Sequence, residues 1–361
     1  MRGICLVLLL LASAVGHAQT CTFPEATGRF AALLQSEGLE GGALLVGDRQ
    51  GIVYENYLGT YTPATWVPVA SATKLLSAVR LVQLADQGAL GLDVPVSSYL
   101  PAFSGEKGTM TVRQMFSHTA GYGDDLLAPV VNNDSITLAQ AVEQIACCRP
   151  LNAGYTVGGQ FSYGGVSMHV AGRVAEVRGG GDWQARWISE LGEPLGISSI
   201  DWQGLGPTLN YRIAGGARST LRDYGRVLHL LANDGRSNNR RLLSLGGVRQ
   251  FRQDNVGNLP VAYAPPNAVP PVRYGLGSWM IGERPPGEAP LIHSLGMFGF
   301  MPWVDLEKHR FGVFMIRGDA GVNDRAWPVY QQMLTDIGTA FDQGCSPVEW
   351  FDEIFGAGEF E

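Results

Sequence analysis

The sequence predicts an α/β protein of the α+β kind: an antiparallel sheet built from both ends of the chain and flanked by helices, with a mainly helical domain inserted between them. Three observations predict it. Strand-like apolar runs cluster towards the two termini, the stretch from about 71 to 235 reads as helices separated by Gly/Pro/Asn/Asp loops, and the composition demands a large core. Hydrophobic residues are 45% and charged residues 16% of the 361, against a usual charged share of about 25%, which excludes charge-driven disorder. The formal charge of −7 leaves no basic footprint, so nucleic acid is not an expected partner.

The elements follow in order. Arg2, the apolar run 4–15 and the small residues Gly16-His17-Ala18 read as a secretory signal over 1–18, too short to span a bilayer. Cys21 lacks a lipoprotein-type sequence before it, and no later stretch is long and apolar enough for a membrane helix, so a secreted or periplasmic protein without a stable membrane anchor is expected. Residues 25–37 place Phe30, Leu33 and Leu34 on one helical face. Runs 43–46 and 52–58 read as strands joined by Gly47-Asp48-Arg49-Gln50-Gly51. After the helical middle and a proline-rich loop at 258–271 come strand-like runs at 274–281, 291–295, 300–306 and 311–316, then a helix over 325–341. The boundaries this implies are a sheet domain from 19–70 and 210–361 around a helical domain at 71–209.

Four cysteines remain after the signal, Cys21, Cys147, Cys148 and Cys345, an even number that permits disulfides in an exported chain. Adjacent Cα atoms lie about 3.8 Å apart, below the usual disulfide spacing, so Cys147 and Cys148 are either a strained bond or two buried thiols. The histidines are scattered and no metal-ligand spacing occurs, so no metal or cofactor is expected.

The sharpest chemical feature is Ser71-Ala72-Thr73-Lys74, opening a helix with Leu75, Leu76, Val79 and Val82 on its apolar face and Gly88 at its end. Residues three apart share a helical face, so Ser71 and Lys74 are neighbours. A serine that only capped the helix would be matched by Glu or Gln three residues on, whereas Lys opposes the helix dipole. That same field favours the neutral amine a general base needs. Lysine usage agrees: only Lys74, Lys107 and Lys308 occur beside 23 arginines, and arginine cannot give up its proton in a protein. A second Ser-x-x-Lys, ending at Lys107, lies in a polar loop and reads as solvated surface.

The run Val69-Ala70-Ser71-Ala72-Thr73-Lys74 resembles the nucleophile motif of the serine β-lactamase and penicillin-binding clan, in which Ser attacks and Lys accepts its proton. Residues 92–101 (LDVPVSSYLP), 111–121 (TVRQMFSHTAG) and 215–220 (GGARST) are similar to segments of its class C β-lactamase branch, which also holds D-peptidases, esterases and oligomer amidases. The resemblance covers about 25–340 and implies a β-lactamase/transpeptidase-like fold. It makes Tyr163, in Phe161-Ser162-Tyr163-Gly164-Gly165, the proton relay beside Ser71, although an ordinary core tyrosine is the plain alternative. Gly165 stands where the family carries Asn. In His293-Ser294-Leu295-Gly296-Met297, Ser294 and Leu295 replace the family's Lys and Thr, and the backbone N–H groups of Ser71 and Met297 are the implied oxyanion hole. Gly165, His293, Ser294 and Gly296 are the implied substrate-binding positions, with His293 a weak donor or a packing residue, and His118 is read as structural. The family's adjacent first and last helices imply a Cys21–Cys345 disulfide.

The function expected is an exported serine hydrolase working through an acyl-enzyme on Ser71, acting on a small neutral ester. Within the same family a β-lactamase or D-amino-acid peptidase or amidase is the alternative, weakened by Ser294 and Gly165. A catalytically silent binding module is the other, although such a copy has no chemical reason to keep Lys74.

Overall fold

The run 41–48 is buried on both faces, and a strand of that kind belongs inside a sheet. The structure is a computed structural model that describes residues 21–268, 270–282 and 290–344; the expected signal at 1–18 and Cys345 lie outside the described residues. The six strands of the main sheet are β1 (Gly41–Asp48), β2 (Gly51–Gly59), β3 (Trp279–Ile281), β4 (Leu291–His293), β5 (Met301–Asp305) and β6 (Arg310–Met315). Their spatial order is β3-β4-β5-β6-β1-β2, every pair antiparallel, so the N-terminal hairpin joins the sheet across β6. Mixed α/β architecture around an antiparallel sheet is the predicted class.

The two faces of this sheet are covered differently. The N-terminal helix Pro24–Ser36 and the C-terminal helix Val322–Asp342 cover one face, packing Phe30, Leu33, Trp327 and Tyr330 on Leu44, Val46, Trp303 and Phe314. The helix Leu221–Ala232 covers the other, capped by the Thr220 hydroxyl, which accepts from the Asp223 N–H. Beyond it lies the helix Thr73–Asp86, buried around nearly its whole circumference from Thr73 to Leu84. A helix buried all round is a core element, and the Ser71–Lys74 motif runs from the 3-10 turn Ala70–Ala72 into its first residues. Among the described residues no helix is long and apolar enough to cross a membrane.

Three local expectations need correction. The strand expected over 274–281 is confined to Trp279–Ile281, because Gly275 N–H donates to Ser278 O (2.8 Å) and closes a tight turn. Gly277 in that turn has φ +68, and a Cβ there would meet the Lys74 carbonyl oxygen at 2.5 Å, so only glycine fits. Inside the proline-rich loop, Val261–Tyr263 forms a short strand parallel to Phe161–Ser162, a non-local pairing with no periodic signal. Lys107 is more than solvated surface: half-buried, its ammonium donates to Ile145 O, Ala146 O (2.5 Å) and Arg149 O (3.1 Å), capping the C-terminus of the helix Leu138–Cys148.

The cysteines also resolve. Cys147 and Cys148 are bonded to each other across a Cα separation of 3.7 Å at the end of that helix, and both are exposed, so neither is a buried thiol. Cys21 is disulfide-bonded, while the expected partner Cys345 lies outside the described residues.

Candidate active site

Ala70, immediately before the nucleophile, has φ +45, a left-handed backbone uncommon for a residue with a side chain. Strain of this kind persists only where the surroundings over-determine it. Here the segment 213–217 supplies them: Val69 N–H donates to Ala217 O (2.9 Å), Ala217 N–H donates to Thr73 Oγ1 (3.0 Å), and Ser77 Oγ donates to Ile213 O (2.8 Å). Tyr224, from the helix behind, donates to Ala72 O (2.6 Å). The 215–220 run singled out in the sequence therefore straps the start of this helix in place.

Lys74 Nζ lies 3.1 Å from Ser71 Oγ and donates to Ala214 O at 2.9 Å. The side chain is fully buried, and burial holds its ammonium down to about 7, with Asp125 acting in the opposite sense. The sequence placed the neutral-amine requirement on the helix dipole; the larger cause is removal from water. Ala214 O accepts from Lys74 beside Gly165, where a Cβ would meet Ala214 Cβ and Leu126 Cδ2 at 3.6 Å and Leu126 Cα at 3.9 Å, all ordinary contacts.

Tyr163 brings its ring under the amine, 4.6 Å from Nζ to the ring centroid, and its phenol acts on the Ser71 hydroxyl beside it. Burial pushes that phenol well above its ordinary range, so it stays protonated at neutral pH. The ring is fixed from several sides: His118 at 4.3 Å, Trp279 stacked at 5.4 Å and Tyr274 at 6.3 Å between centroids. His118, with φ +60 and Nδ1 accepting the Gly164 N–H at 3.2 Å, is a packing residue beneath Tyr163, and burial keeps it neutral.

The second wall differs from the expectation. Ser294 is 2% exposed, and its hydroxyl faces Ser71 O (3.0 Å) and Gly277 O (3.2 Å), so it fixes the nucleophile's backbone and is not presented to a substrate. Leu295 points into the core under the terminal helices and does not line the site. His293 is likewise withdrawn: it stacks on Trp327 of the C-terminal helix at 4.8 Å, and burial lowers it to about 3. Extended backbone continuing past the end of β4 sends 293 and 295 to one face and 294 to the other. Gly296 passes so close to the nucleophile segment that a Cβ would lie 2.1 Å from Val69 O, which brings the chain leading into Met297 alongside Ser71.

One residue was missed. Asp125 is 4% exposed and its Oδ1 accepts the Gly165 and Val166 N–H groups at 2.7 and 3.2 Å, capping the helix Val166–Gly179. The acidic pair Asp124-Asp125 after the 111–121 segment was the available signal, and its loop carried no motif.

A family model described as Beta-lactamase matches residues 26–332. The chain belongs to the beta-lactamase family. It is similar to the Esterase/beta-lactamase LipL of Mycobacterium tuberculosis, 32% identical over 188 residues that cover 47% of this chain and 41% of that one. The match thus spans less than half of that relative's length. Among solved structures, a Bacteroides dorei DSM 17855 protein assigned to the beta-lactamases superposes with a TM-score of 0.74 at 30% identity, covering 88% of this chain and 98% of that one. A family VIII carboxylesterase superposes at 0.70 with 17% identity over 88% and 98%, a likeness of fold alone. Members of this beta-lactamase family are typically serine hydrolases, acting as esterases or amidases.

Proposed function

We propose that this beta-lactamase-family chain is an exported esterase that forms an acyl-enzyme on Ser71 with small neutral carboxylic esters. The observation that carries it is the amine of Lys74, buried, held down to about 7 and 3.1 Å from Ser71 Oγ. At neutral pH a large share of that amine is neutral and can take the Ser71 proton as Oγ attacks the ester carbonyl. The ammonium so formed faces Ala214 O and the Tyr163 ring. The N–H groups of Ser71 and Met297 serve the carbonyl oxygen as it becomes an oxyanion. Tyr163, protonated and beside Ser71, passes a proton to the departing alkoxide and regains one from the Lys74 ammonium; water then reverses the sequence.

Neutral substrates are favoured because the position that would carry a carboxylate-binding cation holds Ser294, whose hydroxyl is taken up by two backbone carbonyls. A carboxylate left without its charge-assisted partner loses about 1.5–3 kcal/mol. The names of LipL and of the family VIII carboxylesterase fit an ester substrate, and export follows from the signal-like residues 1–18.

The test compares p-nitrophenyl butyrate with nitrocefin and labels the protein with a fluorophosphonate. The ester should lead by at least about 100-fold in kcat/KM, and Ser71→Ala should abolish labelling and lower turnover by on the order of 10³-fold. Lys74→Arg should be nearly as damaging, because the charge stays and the basicity goes. Efficient nitrocefin hydrolysis with little esterase activity reverses the substrate ranking, and a protein that no fluorophosphonate labels is a binding module.

A further inference from the structure

Asp125 presents a problem that capping does not solve. A neutral acceptor is enough to satisfy the first N–H groups of a helix. Here a full carboxylate does so in a site where it is 4% exposed. Its Oδ1 accepts from Gly165 and Val166, but its Oδ2 has no hydrogen-bond partner among the described residues, and the Arg149 guanidinium stands 3.8 Å away. A buried, half-satisfied charge is destabilising, so a cap alone does not account for it.

The position supplies a second role. Asp124 N–H donates to Tyr163 O at 2.8 Å, so residues 124 and 125 grip the segment 163–166 from two successive positions. Gly164 lies against the carboxylate so tightly that a Cβ there would meet Oδ1 at 2.3 Å. The same carboxylate acts on Lys74 and is the group that opposes the effect of burial there. The other groups around the amine are the Ser71 hydroxyl, the protonated Tyr163 phenol and neutral His118. Asp125 in turn is faced by Arg149, Lys74 and the phenol of Tyr122.

We propose that Asp125, with Arg149 as its counter-ion, is a positioning residue for the acyl-transfer step: it fixes the Tyr163 segment and stabilises the ammonium that Lys74 becomes when it takes the Ser71 proton. This rests on the acyl-enzyme reading above. The division of labour follows from the chemistry. Burial keeps Lys74 neutral and ready at rest, which is unfavourable once the proton arrives. A carboxylate fixed outside hydrogen-bond reach of the resting amine eases that second state without locking the first.

The test is Asp125→Asn, which keeps an oxygen for Gly165 and Val166 and removes the charge. The pH dependence of kcat/KM for p-nitrophenyl butyrate and of fluorophosphonate labelling should show an acid limb near Lys74's value. In the variant that limb should move to lower pH by about half a unit or more, and the high-pH plateau should fall about 10-fold. A purely structural cap would lower the melting temperature and leave the limb in place, which overturns the proposal. Arg149→Gln, at a partly exposed guanidinium, is the second variant if the first does not fold, and it should displace the limb by at least about 0.3 unit. A limb unmoved in every variant that folds refutes the role of Asp125 while acyl transfer stands. Wild-type protein with no labelling at any pH refutes acyl transfer itself.

Discussion

At Lys74 the needs of stability and chemistry oppose each other, because the burial that produces a neutral base also makes the folded state reject a proton that the unfolded chain would keep. The folded value, about 7, lies below the ordinary 10.5. Between those values the unfolded chain binds the extra proton, so wild-type stability rises with pH across that window and is lowest below it. Lys74→Met matches the volume without the charge. It should abolish esterase activity yet stabilise the fold on the order of 2–4 kcal/mol at pH 7, with the gain shrinking towards pH 10. Urea unfolding at the two pH values checks this, and an unchanged midpoint at pH 7 contradicts it. Ser294 is the counterpart on the other wall. From the motif it was a weakened substrate contact, but two backbone carbonyls claim its hydroxyl, and nothing short of the tertiary arrangement shows that.

The helix Leu138–Cys148 shows how an element can end without a glycine. Its N-terminus is a capping box, Thr137 and Gln140 exchanging side-chain and backbone hydrogen bonds, and that much is written locally. Its C-terminus runs into the Cys147–Cys148 bond, and the free carbonyls are satisfied by Lys107 from 38 to 42 residues away in the chain. Hydrogen bonds from a charged donor contribute about 1.5–3 kcal/mol, so Lys107→Ala should lower stability by roughly that amount at unchanged m-value. An equal midpoint for the variant would return Lys107 to the surface role its sequence context suggested. The strand boundaries tell a similar story: 291–295 reads as one apolar run, but the regular strand ends at His293, and beyond it Ser294 N–H to Pro302 O (3.3 Å) and Gly296 N–H to Phe300 O (2.8 Å) carry the chain past Val69.

At the scale of the whole molecule, three histidines among the described residues are buried and held neutral by loss of solvent: His118 well below its ordinary range, His169 at about 4 and His293 at about 3. Each folded value lies below the unfolded 6.5, so the stability they confer is complete above pH 6.5 and is lost as pH falls towards the folded values. The unfolding free energy between pH 7 and 4 should fall with a slope of up to about 1.4 kcal/mol per pH unit for each histidine. Uptake of less than about one proton on unfolding near pH 5 would show that the rings are not buried neutral. What the sequence determined by itself is local or nearly so. Helix and strand periods gave the sheet from both termini, a three-residue spacing put Ser71 and Lys74 on one face, and scarce lysine marked the titratable one. Tertiary structure alone decided the rest. Burial from all sides, more than the helix dipole, sets the charge of Lys74, and Ala214 O accepts from its amine. Strand alternation turns His293 and Leu295 away from the site, and Asp125 reaches Gly165 from 40 residues upstream. Solvation and hydrogen bonding depend on which distant segments meet, and a periodicity of two or 3.6 residues carries no record of that.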